Sequence, residues 1–449
     1  MVPRADDSPG DARCLRAGAE IGYCLPGVKP HATDRTRIMA TILLIATLDT
    51  KGAEAAYVRD LITARGHHVR VLDAGVLGAA PFVPDIPAAD VAAAGGEGLD
   101  ALRGRADRGA ALEIMARGAA AVAVRMTEAG DVDGVIGLGG SCGTAIATAA
   151  MRALPVGIPK VMVSTVASGQ VGPYVGVKDL TLMYAVVDVA GLNRITRRIL
   201  SNAAGAVCGM VEQRIPDASD RPLAAATMFG VTTPCVDRVR RHIEAAGWEV
   251  LVFHATGSGG RAMEGLIEAG FISGVADVTT TEWCDEVVGG VLSAGPTRLE
   301  AAGRKGIPQV VSCGALDMVN FWARETVPEA FRSRRLHVHN PNVTLMRTTP
   351  AECARIGEII AEKLNAATGP VTMLVPLRGV SALDREGEPF FDPEADAALF
   401  DALRSHLDAS VEHVELDLHI NDPAFADAVA TRLLDHLKAG SAENAVHRA

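Results

Sequence analysis

The stretch Thr41-Ile42-Leu43-Leu44-Ile45-Ala46-Thr47-Leu48-Asp49-Thr50-Lys51-Gly52 decides the fold class. Residues 42–46 are an unbroken apolar run, as expected of a strand covered on both faces. Residues 47–52 turn. Ala55, Val58, Leu61 and Ile62 then recur at helical spacing, and Gly66 stops the helix. The unit repeats outward from there. Strands are read at 69–72, 134–138 and 160–163, with helices at 111–126, 144–154 and 183–200. Strand alternating with helix predicts a parallel sheet with helices on both faces. Residues 79–111, with three prolines and Gly95-Gly96, read as a mobile connection plus a helix.

A second series begins near Ala203. Apolar runs at 225–230, 249–253, 274–278, 309–312, 336–339, 372–375 and 414–418 read as seven strands, most followed by a polar cluster. That pattern fits a (β/α) barrel with one strand unrecognised, in which groups after the strand ends build the site. The expected fold is α/β, a Rossmann-like parallel sheet region over 39–202 followed by a TIM-barrel-like domain over 203–438. Residues 1–38 lack periodicity and read as a disordered extension, with Met39 as a candidate natural start. Residues 439–449 read as a loose tail.

Composition narrows the function classes. The chain of 449 residues is 49% hydrophobic and 22% charged, so it buries a core rather than staying disordered. Its 43 basic against 54 acidic residues give −11, which argues against nucleic-acid or membrane-surface partners but leaves room for a local anion pocket. Aromatics at 4% argue against base-stacking platforms. The strongest apolar run, 40–48, is far short of the ~20 residues of a membrane span. Residues 1–38 contain no secretory apolar core of roughly 7–15 residues. Eight cysteines without a CxxC pair read as reduced thiols in a cytoplasmic protein.

Three loops in the first series carry chemistry. Thr47, Asp49, Thr50 and Lys51 lie between strand and helix, where helix N–H groups favour an anion. Lys51 and Thr50 would meet a phosphate and Asp49 would hold Mg²⁺. The plainer reading is a solvated turn. Gly139, Gly140, Ser141, Gly143 and Thr144 follow a strand and open a helix, the pattern of a phosphate cradle. The same residues match the G-x-S-x-G nucleophile elbow, which makes Ser141 an alternative hydrolase nucleophile, with acids and histidines at 188, 237, 242 and 254 downstream. Ser164, Thr165, Ser168, Gly169 and Tyr174 form a polar loop that suits a ligand equally well as a plain surface.

In the second series the polar groups fall after the strands. His254 would polarise a carbonyl, Glu282 or Asp317 would move a proton, and Arg347 or Arg378 would hold an acid group. Residues 257–260 read as another anion cradle. His254, Glu282, His337 and His339 could offer metal ligands, although a single histidine is more often structural.

ATLDTKG (46–52), GLGGSCGTA (137–145), STVASGQVGPYVG (164–176), VLVFHATGSGGRAMEGLI (250–267), DVTTTEWCDEVVGG (277–290), HNPNVTLMRTT (339–349) and HIND (419–422) occur in one order. Together they resemble a family that includes the N-terminal inhibitory region of a tomato tobamovirus-resistance protein and bacterial homologues of unassigned function. The resemblance covers 39–437. It implies two Rossmann-like halves, a TIM-barrel-like domain and a homodimer. It also implies ATP with Mg²⁺ at the three N-terminal loops, in which glycine is usual where Cys142 stands. The expected activity is lyase or hydrolase chemistry on a small anionic metabolite such as an oxo-acid, with a non-catalytic ATP-binding module as the alternative.

Overall fold

Strand β1 (Thr41–Ala46) is buried along its length because helices cover both faces of its sheet. Leu43 and Ile45 pack with Val122 and Ile146, from helices Arg108–Glu128 and Ser141–Ala153. Ile42, Leu44 and Ala46 pack on the opposite face with Val58, Ile62 and Leu200, from helices Leu48–Ala64 and Arg194–Glu212. This computed structural model describes residues 39–105, 107–214 and 221–446, so the expected extension over 1–38 lies outside the described residues.

The strands β2 (His68–Asp73), β3 (Gly134–Gly139), β4 (Lys160–Ser164) and β5 (Thr181–Tyr184) complete one five-stranded sheet, ordered β2-β1-β3-β4-β5. Every pair is parallel. It is a single sheet rather than two halves. The order reverses between β1 and β3. Such a switch point opens a crevice outside the carboxyl ends of the two strands. The helix expected over 183–200 starts later. Its apolar beginning is the edge strand β5, and Asn193 caps the helix by accepting from Ile195 N at 2.8 Å and Thr196 N at 3.0 Å.

The second series is also an open, doubly wound sheet. Its strands are β6 (Leu223–Met228), β7 (Glu249–His254), β8 (Ile272–Thr279) and β9 (Gln309–Gly314). After β9 come β10 (Met318–Phe321), β11 (Leu336–Asn340), β12 (Val343–Arg347), β13 (Val371–Pro376) and β14 (Glu412–Leu416). Six are parallel, in the order β14-β13-β9-β8-β6-β7. β14 and β7 are the edges, so the expected barrel does not close. The seventh strand read from the sequence, β11, is diverted. Pro341 and Asn342 alone join it to β12, too short a link for a parallel crossover, and β10-β12-β11 form a separate antiparallel sheet. Val231, just after β6, packs with Ala315, Met318, Leu345 and Phe390. That cluster fills space outside the second switch point, between β6 and β8. The last helix, Pro423–Val446, continues into the stretch read as a loose tail.

Candidate functional site

The first switch point holds a cleft of about 570 Å³. Thr47, Asp49, Thr50 and Lys51 line it from the end of β1, and Gly140, Ser141 and Gly143 from the end of β3. The two sequence-distant loops therefore meet. Helix Ser141–Ala153 has no side-chain cap. Its first internal bond is Thr144 N to Gly140 O, which leaves the N–H groups of 141–143 as the orphan donors of a helix start. Gly139 is required by packing, since a Cβ there would stand 2.9 Å from Gly143 Cα. Gly140 is different. The nearest atom to a Cβ there is Thr165 Oγ1 at 3.8 Å, so its bareness keeps space free on the cleft side.

The carboxylates at β1 and β2 fix the loops. Asp73 Oδ1 accepts Leu48 N at 3.0 Å and Gly75 N at 2.8 Å, and burial pushes its carboxyl pKa upward. Asp49 Oδ2 accepts Leu77 N at 2.9 Å and Gly78 N at 3.3 Å. Lys51 sits at a kink in its helix, with φ −126° and ψ 19°, and lines the cleft.

A third wall comes from the stretch read as a mobile connection. Arg103 and Arg108 line the cleft. Arg103 Nε donates to Val76 O at 2.6 Å, and Arg108 Nη2 lies 3.2 Å from Cys142 Sγ. Asp107 caps helix Arg108–Glu128 through Gly109 N and Ala110 N. Leu102, Leu112, Met115 and Ile146 give the cleft an apolar side. Cations and bare N–H groups beside an apolar wall suit a phosphate carrying a flat apolar group.

MgATP, which the family resemblance implies, fits this donor set. Lys51, Arg103, Arg108 and residues 141–143 line the one cleft together. Asp49 Oδ1 carries no hydrogen bond among the described residues, and Mg²⁺ characteristically takes one or two carboxylates plus phosphate oxygens and waters. No group of three or more metal-ligating side chains occurs among the described residues.

The other residues read from the first series fall differently. Ser164 and Thr144 are buried and joined, Oγ to Oγ1, at 2.8 Å, and Ser164 Oγ also accepts Val166 N at 3.1 Å. They lock β4 to the helix. Thr165 adjoins Gly140. Ser168, Gly169 and Tyr174 do not line the cleft, and the Tyr174 carbonyl accepts from Arg152 Nη1 at 2.7 Å. Among the described residues no histidine lines it either, so no histidine base faces Ser141. His242 pairs with Asp427 at 3.3 Å, and His254 stacks on Phe229 with centroids 5.3 Å apart.

The second series rearranges the expected roles. Glu282 is buried inside the glycine cradle at 257–260, accepting Gly257 N at 2.7 Å and Gly260 N at 3.1 Å. The protein's own carboxylate fills that anion site. Arg298, also buried, donates to Glu282 at 2.7 Å and forks onto Asp277 at 2.5 and 2.6 Å, with Glu264 at 3.4 Å. Glu282 is therefore a structural anchor rather than a free base. His254, at the end of edge strand β7 just before the cradle, is exposed and makes no hydrogen bond to Glu282 among the described residues. His337 meets Phe390 edge-on and His339 is exposed, so the expected metal set is not assembled.

Asp317 and Arg347 do come together, with partners the sequence did not single out. Arg347 is buried and donates to Asp396 Oδ1 at 2.5 Å, Phe390 O at 2.8 Å and Thr348 Oγ1 at 2.8 Å, with Asp384 Oδ1 at 3.8 Å. It is not free to hold a ligand's acid group. Asp317 accepts from Ser381 Oγ at 2.7 Å, and burial drives its carboxyl up to about 7. Beside this cluster lies a cavity of about 780 Å³, lined by Arg378, Arg385, Asp396, Phe400, His419 and Asn421 among others. Arg378 is exposed and forks onto Asp417 at 2.7 Å. His419 is held in one tautomer, donating from Nε2 to Ser381 O at 2.9 Å while Nδ1 accepts Asn421 N at 3.1 Å.

Sequence comparison places this geometry in a family. Residues 40–216 match the model of the uncharacterised protein family UPF0261 N-terminal domain, and 221–437 match its C-terminal domain. A UPF0261 protein of Clostridium tetani is 53% identical over 399 residues, 88% of this chain and 99% of its own length. A Rhizobium meliloti member is 51% identical over the same shares. The ToMV resistance protein Tm-1(GCR237) of Solanum lycopersicum is 45% identical over 359 residues, 78% of this chain but 48% of the plant protein. The resemblance read from the motifs is thereby borne out. A glycosyltransferase of Streptomyces sp. SF2575, SsfS6, solved with thymidine diphosphate, covers 90% of this chain and 96% of its own at 14% identity. Its TM-score of 0.19 is too low to carry an argument. The chain belongs to the UPF0261 family, with both of that family's domains present.

Proposed function

We propose that the cleft at the first switch point binds ATP with Mg²⁺. The supporting observation is the convergence of the bare helix start at 141–143 with Lys51, Arg103 and Arg108 on one side of an apolar-walled crevice. Asp49 would hold the metal. Bound Mg²⁺ would neutralise phosphate charge. A ligand that binds only the folded state at a hundred times its Kd stabilises it by ~2.7 kcal/mol. Thermal unfolding with and without MgATP tests the reading, and an unmoved transition at saturating nucleotide overturns it.

We further propose a second site in the C-terminal half, for a small anionic metabolite, with lyase or hydrolase chemistry. Arg378, Arg385 and His419 around the cavity beside β13 and β14 support it. Phosphate release that depends on such an acid would join the two sites in one reaction. Binding without release would favour nucleotide as a regulator. The six described cysteines are free thiols, which supports a reducing, cytoplasmic setting. A homodimer is the assembly proposed, and light scattering reads it directly.

A further inference from the structure

The cavity beside β13 and β14 is backed by an unusual charge arrangement. Asp317 and Asp384 are fully buried and Asp396 is 8% exposed, its carboxyl reaching the cavity. One guanidinium, that of Arg347, faces all three. Were all three ionised, the cluster would carry a net buried charge of about −2, which a low-dielectric interior opposes strongly. Two oxygens mark the conflict. Asp317 Oδ1 and Asp384 Oδ1 have no hydrogen-bond donor, although both are buried. Asp384 and Asp396 both face Arg347 Nη2, at 3.8 and 2.5 Å, so the two carboxyls crowd one cation. Such crowding is relieved when one carboxyl holds a proton, as in carboxylate dyads that share one proton.

Among the described residues, the elements packed around Asp396 supply no second cation in direct contact. Asp396 stands on helix Pro393–His406. Arg347 faces it from the end of β12, Asp384 from the loop after β13, and Asp317 from the turn after β9. The thiols of Cys313 and Cys353 adjoin, both pushed upward by burial. His419 lies near Asp384 with both ring nitrogens engaged.

We propose that this cavity is a substrate site for a small 2-oxo or 2-hydroxy carboxylic acid, and that Asp396, backed by Asp384, donates a proton to its oxygen. The proposal rests on the second-site reading above. Arg385, with no ion-pair partner among the described residues, supplies positive charge for the acid group, while Arg378 is forked onto Asp417 and the carboxylates Glu386 and Asp422 also line the cavity. In the step, the Asp396 O–H bond breaks and its electron pair stays on Asp396. A new O–H bond forms from a lone pair of the ligand oxygen. The negative charge now on Asp396 meets Arg347 Nη2 at 2.5 Å. Arg347 is a positioning residue here, and Asp396 is the catalytic one. Burial and the Asp384 charge push the Asp396 carboxyl upward, the direction that favours its protonated form where three carboxyls crowd one guanidinium.

Infrared difference spectra between pH 6 and pH 9 test the proton. Calorimetry with pyruvate, 2-oxoglutarate and malate tests the site. The wild type should lose protonated-carboxyl absorbance over that range, and Asp396→Asn should lose less of it, keeping the parts from Asp317 and Asp285. Asp384→Asn, which keeps the shape, should shift the band's midpoint by a unit or more. At least one acid should bind, and Arg385→Ala should weaken it about tenfold. A band unchanged in both variants overturns Asp396 as donor even where an acid binds, leaving the second-site reading standing. No binding of any of the three acids to the folded wild type overturns the ligand class and that reading together. Should Asp396→Asn not fold, Asp384→Asn decides the proton by its midpoint.

Discussion

Arg298→Met removes the one cation that, among the described residues, pairs with Glu282 and Asp277, while keeping side-chain bulk. Arg298 is 1% exposed and bonds Asp277 through two nitrogens and Glu282 through a third. Deleting one partner of a buried ion pair costs about 3–5 kcal/mol, because the charge left behind has no compensation. For a domain of this size that lowers the melting temperature by roughly 10–15 °C. The sign with pH follows. Stranded carboxyls are tolerated when protonated and penalised when ionised, so the deficit shrinks as pH falls and grows as it rises. Adding Glu282→Gln should recover part of the loss, since an amide oxygen still accepts Gly257 N and Gly260 N. Differential scanning calorimetry across pH reads all of this. A deficit below about 1 kcal/mol, or one that does not vary with pH, would refute the view that Glu282 is an internal anchor filling its own glycine cradle.

Other outcomes follow from the same geometry. Asp285 is buried and its carboxyl is raised to about 6, so its ionisation erodes stability as pH rises from about 4 through 6. Asp285→Asn should flatten that slope and stabilise at pH 8, because a flipped Asn320 would offer its unpartnered Oδ1 to the new amide. Among the described cysteines Cys142 alone is not buried, so iodoacetamide should label it first, and MgATP should protect it in peptide mass maps. Asp49→Asn should weaken MgATP about tenfold, ~1.4 kcal/mol, and metal-free ATP much less, as titrations with and without chelator would read.

Much of the first site is legible in the sequence because its signals are local. A buried strand is an apolar run, and a bare helix start is a row of glycines, so Thr47–Lys51 and the 139–143 loop stand out. Their meeting is topological, since both follow strands that flank the switch point. Arg103 and Arg108 are invisible for the opposite reason. They sit in an aperiodic connection, and only folding brings them over the cleft. In the second half the residue types are legible but not their pairing. The 257–260 cradle looks like a site for an anion and Glu282 like a free base, and no local pattern says that each satisfies the other. Asp384 and Asp396 gave no signal, as lone acids in a loop and a helix. The barrel expectation failed on β11, whose alternation is that of any strand. Only the two-residue link to β12 marks it as antiparallel.

Calorimetric titration of MgATP into the wild type, Lys51→Ala and Gly140→Val tests the central claim most directly. Gly140 has room for a Cβ, so the valine variant should fold with its helix intact while its side chain invades the cradle. Binding to the wild type, weakened at least tenfold by each substitution in a protein with unchanged melting, is the predicted result. Binding that neither substitution touches, or none to the folded wild type, would contradict a nucleotide site in this crevice.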